Sequence, residues 1–125
     1  MSNGYTTVEA AAAAGIDPGR LRGWQQHSFI DLGHRTPGGR FQFSARDVRV
    51  IALMALLVDH GITPAVAARH AEAVIDRIGD RGDQPLVGIF GHDPNQSPAV
   101  IPLDAMPKAN ALVAIPLAPI FRCAE

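Results

Sequence analysis

The sequence predicts a mainly α-helical protein with a small β content: two short helices, a β-hairpin and two longer helices, followed by a β-rich C-terminal module. Three observations predict this order. Helix-capping residues open four segments, a turn signal at residues 36–39 separates two apolar stubs, and most prolines lie after residue 84. Capping residues mark helix starts, whereas prolines confine strands to sheet edges. We therefore expect a helical head and a tail of short, irregular strands.

The composition is that of a soluble globular protein. Of the 125 residues, 47% are hydrophobic and 18% are charged, which separates the chain from disordered sequences. The longest apolar run, residues 50–58, is shorter than the roughly 20 apolar residues that span a bilayer. Residues 1–4 lack signal-peptide character, and the single Cys123 excludes an internal disulfide and a multi-cysteine metal site. We expect a cytoplasmic protein without membrane contact.

Basic charge is concentrated in the N-terminal part of the chain. The net charge is −1, but residues 1–50 carry six arginines against four acids, and residues 79–125 carry three bases against five acids. The affinity of a protein for nucleic acid grows with the number of phosphates that it neutralises. This modest asymmetry predicts weak non-specific affinity for DNA and a reliance on dimerisation.

Two short helices joined by a tight turn open the chain. Residues 6–9 read as a capping box, which predicts a first helix over residues 7–14. Gly15 is suited to end that helix, and Asp17 followed by proline starts a second helix over residues 18–26. Such a pair of helices is a helix-turn-helix signature.

A hairpin and two longer helices follow. The apolar stubs at residues 29–30 and 41–43 flank the turn and predict a β-hairpin, which after a helix-turn-helix is a wing. Capping signals then predict a third helix over residues 45–60 and a fourth over residues 64–78. The third helix is apolar almost all round. It therefore needs cover from the head on one side and from a partner helix or a second subunit on the other.

We predict a head over residues 1–78, a linker over residues 79–84 and a β-rich tail over residues 85–125. So short a tail buries little surface alone, so it must pack on the third and fourth helices or on another subunit. We expect it to dimerise the chain or to bind a ligand. Its strands are expected at residues 86–90, 100–103 and 112–121.

The order of helix, turn, helix, wing and long helix resembles the MerR family of winged helix-turn-helix regulators. The likeness covers residues 5–70 and is carried by five segments: Tyr-Thr-Thr-Val-Glu-Ala-Ala at 5–11, Gly-Ile-Asp at 15–17, Leu-Arg-Gly-Trp at 21–24, Pro-Gly-Gly through Asp-Val at 37–48, and His-Gly-Ile-Thr at 60–63. The resemblance implies that the second helix enters the major groove, that the wing touches the flanking backbone, and that two protomers read a pseudo-palindrome.

The chain also departs from the family. Gly23 stands where the family has an aromatic residue, and Phe41 stands where it usually has an arginine, with Arg40 one position earlier. One cysteine cannot build the sites of the metal-sensing members. Gly79 ends the fourth helix where the family has a long antiparallel coiled-coil helix. The resemblance therefore implies no effector.

Seven polar side chains are candidates for DNA contact. Arg20 and Arg22 can donate paired hydrogen bonds to guanine or to phosphates, and the two neighbouring glutamines can read bases. Arg22 can instead pair with Asp17 or Asp47. The wing arginines suit phosphates or a minor groove, a threonine at the first helix N-terminus suits a phosphate, and Trp24 is expected in the core. The candidates are Thr7, Arg20, Arg22, Gln25, Gln26, Arg35 and Arg40.

No catalytic or metal-binding pattern accompanies these residues. The five histidines are scattered over separate elements, and the sequence has no HExxH, GxSxG or phosphate-binding glycine motif. We therefore expect no enzyme activity, no metal and no cofactor.

The sequence thus predicts a sequence-specific regulator of transcription that binds double-stranded DNA as a homodimer on a pseudo-palindromic operator and can contact RNA polymerase. Two alternatives stay open. One is a phage-type DNA-packaging or recombination accessory protein, such as a small terminase subunit or an excisionase. The other is a protein-interaction module with a winged-helix head.

Overall fold

The computed structural model describes residues 4–27, 30, 32–39, 41–79, 86–91, 97–102 and 113–123. Within these ranges helices predominate and the strands are short, which confirms the predicted fold class. The elements in chain order are α1 (Thr7–Ala14), α2 (Pro18–Gln26), β1 (His34–Arg35), β2 (Phe41–Gln42), α3 (Ala45–Asp59), α4 (Pro64–Ile78), β3 (Leu86–Phe90), β4 (Ala99–Pro102), β5 (Val113–Pro116) and α5 (Ala118–Arg122).

Local capping bonds set the starts of α1 and α3. The Thr6 hydroxyl accepts a hydrogen bond from the Glu9 backbone N–H at 3.2 Å, and the Glu9 carboxylate accepts one from the Thr6 N–H at 2.9 Å. The hydrogen bond from the Thr6 N–H is the main cause of the lowered pKa of the Glu9 carboxyl, and the Thr6 side chain adds to it. Ser44 and Asp47 form the same reciprocal pair at the start of α3, with distances of 3.1 and 3.0 Å. The capping box predicted at residues 6–9 is therefore present, and the capping signal predicted at the start of the third helix is also a capping box.

The wing is a two-stranded antiparallel hairpin, β1 with β2, in which His34 pairs with Gln42 and Arg35 with Phe41. The turn of the hairpin contains a hydrogen bond of 2.8 Å from the Gly39 N–H to the Thr36 carbonyl. The first strand lies next to this turn, and Ile30, part of the stub for which a strand was predicted, is not in a strand. A tight turn brings together the residues that flank it immediately, so the register starts there. Ile30 is instead buried in the core, and residue 29 lies outside the described ranges.

Phe43 anchors the wing to the head. Its ring is completely buried, and its backbone exchanges hydrogen bonds of 2.8 Å with Tyr5 in both directions. Gly33 passes directly over this ring with φ +79, and a Cβ there would lie 2.9 Å from a Phe43 ring carbon. A left-handed backbone and a close approach both require glycine.

Helix α3 is the centre of the hydrophobic core. Eight of its side chains are buried, and the helix packs against α1, α4 and α5 of the same chain. The sequence predicted that the head would cover one side of this helix and that a partner helix or a second subunit would cover another. In the structure, α1 covers one side, and helices α4 and α5 of the same chain cover others. The buried set is Val48, Val50, Ile51, Ala52, Leu53, Met54, Ala55 and Leu57.

One arginine ties the exposed edge of α3 to α4. The Arg46 guanidinium donates two hydrogen bonds of 2.8 Å to the two carboxylate oxygens of Asp76, and it also lies 3.8 Å from Glu72. The hydrogen bonds from Arg46 lower the pKa of Asp76, and the same contacts raise the pKa of Arg46.

The tail contains a three-stranded antiparallel sheet with the order β4-β3-β5. Pro102 and Pro116 both end strands at the edges of this sheet, as their missing N–H groups require. The third predicted strand is too long, because after Pro116 the chain forms the short helix α5. Pro119 lies in the first turn of α5, where a backbone N–H would have no acceptor within the helix, so its absence in proline costs nothing.

The described part of the tail packs on α3 and α4. Phe90, Ile115, Leu117 and Ile120 are buried in the same cluster as the side chains of those helices. Two hydrogen bonds support the contact: the His70 Nε2 lies 3.1 Å from the Gly91 carbonyl, and Arg77 donates to the Pro98 carbonyl at 2.8 Å. Among the described residues, no helix has the length and apolar character needed to cross a membrane.

Replacing Gly88 with alanine is expected to destabilise the protein. Gly88 is buried in the central strand, and an added Cβ would lie 2.5 Å from the fully buried ring of Phe90. Such overpacking costs about 1–3 kcal/mol. Urea unfolding measures the loss. Gly23→Ala is the matched control: a Cβ there meets nothing within 4 Å, so a gain of about 0.5–1 kcal/mol is expected. A stable Gly88→Ala protein would contradict this packing.

The bond between Arg46 and Asp76 is expected to give a pH-dependent contribution to stability. Because the folded-state pKa of Asp76 is lowered, the contribution is complete above the ordinary aspartate pKa and is lost as pH falls through the lowered value. It is at most about 1 kcal/mol, since the Asp76 side chain is 59% exposed and solvent screens the pair. Urea midpoints of the wild type and Asp76→Asn should differ at pH 6 and converge as the pH falls below the ordinary range of aspartate pKa values. A constant difference would exclude this titration.

Candidate nucleic-acid interface

The turn between α1 and α2 is built by backbone bonds and one cap. Gly15 ends α1 with φ 78, and the Ile16 N–H donates to the Ala11 carbonyl at 2.9 Å. The Asp17 carboxylate then accepts from the Gly19 N–H at 2.9 Å, and this bond starts α2. The tight turn predicted for residues 15–17 is therefore present, and it holds α2 against α1.

Helix α2 is anchored by two side chains. Leu21 is fully buried and Trp24 is 6% exposed, which confirms the inward positions expected from their spacing. At 100° per residue, Gly19, Arg22 and Gln26 lie on the opposite side of the helix. All three are exposed. Helix α2 packs mainly on α1, and no described tail residue makes an extensive contact with it, so this outward side is open.

A shallow depression joins α1, α2 and the wing. It has a volume of about 380 Å³ and lies beside the N-terminus of α1, where backbone N–H groups point outward. Arg22 brings a positive charge to it. Neither acid that was considered as a partner for Arg22 is used in that way, since Asp17 caps α2 and Asp47 caps α3. The residues that line the depression are Thr6, Thr7, Val8, Arg22 and Phe41.

Arg20 lies on the flank of α2, beside the end of α3. Its guanidinium is 4.9 Å from the centre of the Trp24 ring, and Nη2 lies 3.2 Å from a carboxylate oxygen of Asp59. The Arg20 side chain is 34% exposed. Two candidates from the same helix are thus treated differently by the fold, because Arg22 points into the depression and Arg20 is held by an intramolecular partner.

The wing carries one described arginine. The Arg35 guanidinium is stacked 4.7 Å from the centre of the Phe41 ring and donates to the Gly39 carbonyl at 3.3 Å. Stacking on an aromatic ring reduces the freedom of an arginine without neutralising its charge. Arg35 is therefore a fixed, exposed cation next to the depression. Arg40 lies outside the described residues.

The remaining candidates are placed at intermediate positions. Gln26 is exposed on the outward side of α2, and Gln25 is half-buried on the flank that also carries Arg22. Thr7 is half-buried at the first position of α1 and lines the depression, while the hydroxyl of Thr6, not Thr7, caps the helix.

Sequence reasoning missed three residues of this surface. Val8 is 56% exposed and borders the depression together with Phe41. Val8 is exposed because it does not lie on the side of α1 that carries the buried residues Ala10 and Ala11. Nothing in the sequence indicated that Asp59 pairs with Arg20, because the two residues are 39 positions apart.

Among the described residues, no three histidine, cysteine, aspartate or glutamate side chains come together in a group able to hold a metal ion. His70 is a buried core residue, and its ring Nε2 lies within hydrogen-bond distance of the Gly91 carbonyl. Burial raises the pKa of the Cys123 thiol, which makes it a weaker nucleophile than an exposed cysteine.

Comparison with known proteins shows which family shares this arrangement of elements. Residues 5–74, more than half of the chain, match the MerR family of helix-turn-helix regulatory proteins. A crystal structure of HiNmlR, described as a MerR family regulator lacking the sensor domain and bound to promoter DNA, is similar at 29% identity with a TM-score of 0.50. The similarity covers 62% of this chain and 58% of that one, so the chain matches little more than half the length of HiNmlR. No curated protein sequence matches.

The match includes the helix-turn-helix, the wing and most of α4, the region over which the resemblance was predicted. Its description is of regulatory proteins and not of enzymes. The chain belongs to the MerR family of helix-turn-helix regulatory proteins.

Proposed function

We propose that the protein regulates transcription by binding double-stranded DNA through the outward side of α2, the depression and the wing. The observation that carries the proposal is the depression itself, where Arg22, an α1 N-terminus and the wing meet on one open surface. HiNmlR, which is similar over this region, is described as bound to promoter DNA.

The surface suits a division of labour between backbone contacts and base contacts. We propose that α2 enters the major groove with Arg22 and Gln26 facing base edges and Gln25 at their flank. The start of α1 with Thr7 supplies N–H and hydroxyl donors to a phosphate. Arg35 contacts the adjacent backbone from the wing, and Arg40 is assigned the same role from its position in the sequence.

Two protomers are proposed to bind together as a homodimer on a pseudo-palindromic operator. The support is electrostatic: with a net charge of −1, one head neutralises few phosphates, and a second head on the next turn of DNA doubles that number. Two recognition helices then lie about 34–36 Å apart. We assign DNA binding to residues 1–78, a linker to residues 79–84, and dimerisation or ligand binding to residues 85–125. Cytoplasmic localisation and contact with RNA polymerase complete the proposal.

The test of DNA binding is a mobility-shift assay with the full chain and the DNA upstream of its own gene, at 50 and 200 mM salt. Retention of that fragment over a mixed-sequence duplex at both salt concentrations is expected. Ring-shaped oligomers on clustered direct repeats would favour the DNA-packaging or recombination alternative. No retention of either duplex at 50 mM salt would favour the protein-interaction alternative and overturn the proposal.

Arg22→Gln is expected to weaken binding to the retained fragment about fivefold or more, because a paired contact from an arginine to a base contributes about 1–3 kcal/mol. Arg69→Gln is the matched control, since Arg69 is exposed on α4 and carries the same charge. Fluorescence anisotropy measures both. If the two variants lose affinity equally, Arg22 acts only through net charge and does not belong to the interface.

The wild type is expected to elute and scatter light as a dimer at micromolar concentration, with twice the chain mass of 13.3 kDa. The stoichiometry on DNA should then be two chains per operator, measured by titration at concentrations well above the dissociation constant. A monomer in solution that also binds DNA as a single chain would exclude the homodimer and leave the DNA-binding surface intact.

A further inference from the structure

The pair of Arg20 and Asp59 connects the flank of α2 to the last residue of α3. Nη2 of Arg20 lies 3.2 Å from the Asp59 carboxylate, and the face of Trp24 holds the guanidinium from below at 4.9 Å. The contact is open to solvent, because the side chains are 34% and 60% exposed. An incoming phosphate can therefore reach the same guanidinium.

The position of Asp59 is electrostatically unfavourable for its own helix. A carboxylate at a helix C-terminus faces the negative end of the macrodipole, and the last turn of α3 contains no basic residue to offset it. The partner that Asp59 does have lies across the fold in α2. The contact with Arg20 thus accounts for an acid at a position where the helix alone disfavours one.

Asp59 is expected to weaken DNA binding in two ways. It occupies one arginine of the proposed recognition helix, and it places a negative charge beside the surface that approaches the phosphates. Arg22 is untouched by it, since Arg22 points into the depression between α1 and the wing. Asp59 therefore acts on general attraction to the backbone and not on the side chains assigned to the bases.

We propose that Asp59 is an affinity-limiting residue, which pairs with Arg20 and so lowers the affinity for DNA of any sequence while leaving base readout by Arg22 and Gln26 intact. The inference rests on the proposed function. Specificity is the ratio of two affinities, so a contact that weakens the sequence-independent term by the same factor in both complexes lowers both affinities and leaves their ratio unchanged. The low basic charge of the chain acts in the same direction, because it also keeps the general affinity for DNA low.

The test compares the wild type with Asp59→Asn, which keeps the shape of the side chain and removes its charge. Two probes are used: a 30-base-pair mixed-sequence duplex and a 30-base-pair duplex selected by the wild type from a random pool. Asp59→Asn should bind the mixed-sequence duplex about fivefold more tightly, as expected for release of an exposed ion pair. The slope of log affinity against log salt should steepen by about 0.9, the increment for one added phosphate contact. The selected duplex should gain affinity by the same factor, so the ratio of the two affinities should stay unchanged.

Two controls separate this effect from a change in net charge. Asp76→Asn makes the same substitution at an arginine-paired aspartate that is 59% exposed, but Arg46 stays paired with Glu72 and Asp47, so no arginine is released. It should leave the salt slope unchanged. In an Arg20→Gln background, Asp59→Asn should give no steepening, because there is no arginine to release. Urea unfolding of every variant confirms that it is folded.

The outcomes are distinct. Equal effects of Asp59→Asn and Asp76→Asn, or a wild-type protein that binds DNA no more weakly than Asp59→Asn, overturn the inference and leave the proposed function standing. Weaker binding by Asp59→Asn also overturns it, because Asp59 would then hold Arg20 in a productive position. If neither the wild type nor Asp59→Asn binds any duplex at 50 mM salt, the inference and the proposed function both fail.

Discussion

Burial of α3 is the constraint from which the other contacts of the fold follow. Eight of its fifteen residues are buried, and an apolar helix of that length must be covered along several sides at once. Helix α1 covers one side, α4 a second and α5 a third, and buried residues of the tail sheet belong to the same core. The helix-turn-helix, the wing and the tail therefore share one hydrophobic core, and the described part of the tail stabilises the same helix as the head.

The same arrangement leaves α2 exposed. This helix contributes only Leu21 and Trp24 to the core, so most of its surface faces outward. The wing is fixed beside it by the buried Phe43 with its backbone bonds to Tyr5, and by the Gly33 N–H, which donates to the Asp47 carboxylate at 3.3 Å. An interface made of a lightly anchored helix and a small hairpin is suited to a groove, because neither element needs that surface for stability.

The fold also decides which arginines carry free charge. Arg46 is neutralised by Asp76 and Glu72, and Arg20 is paired with Asp59. Arg35 keeps its charge although it is stacked on Phe41, and Arg22 extends into the depression. The proposed interface is therefore less basic than a count of arginines suggests. Under the proposed function, binding therefore depends on a few well-placed side chains and on two heads rather than on general attraction.

The sequence by itself determined the elements whose signals are local. The capping boxes at Thr6 and Ser44 and the turn after Arg35 act within about four residues, so the bounds of α1, α2 and α3 and the place of the hairpin turn could all be read from it. The inward positions of Leu21 and Trp24 and the family likeness followed from spacing and order. These features cover most of the head and the outward side of the proposed interface.

Only the tertiary structure decided the contacts between residues far apart in the chain. It set the first wing strand beside its turn, converted the last predicted strand into α5, and supplied the cover of α3 from within one chain. It also separated Arg20 from Arg22, two residues of one helix that sequence reasoning treated alike, because Asp59 meets only the first. The physical reason is common to all of these: each depends on which distant surface is brought near, and local propensities carry no information about that.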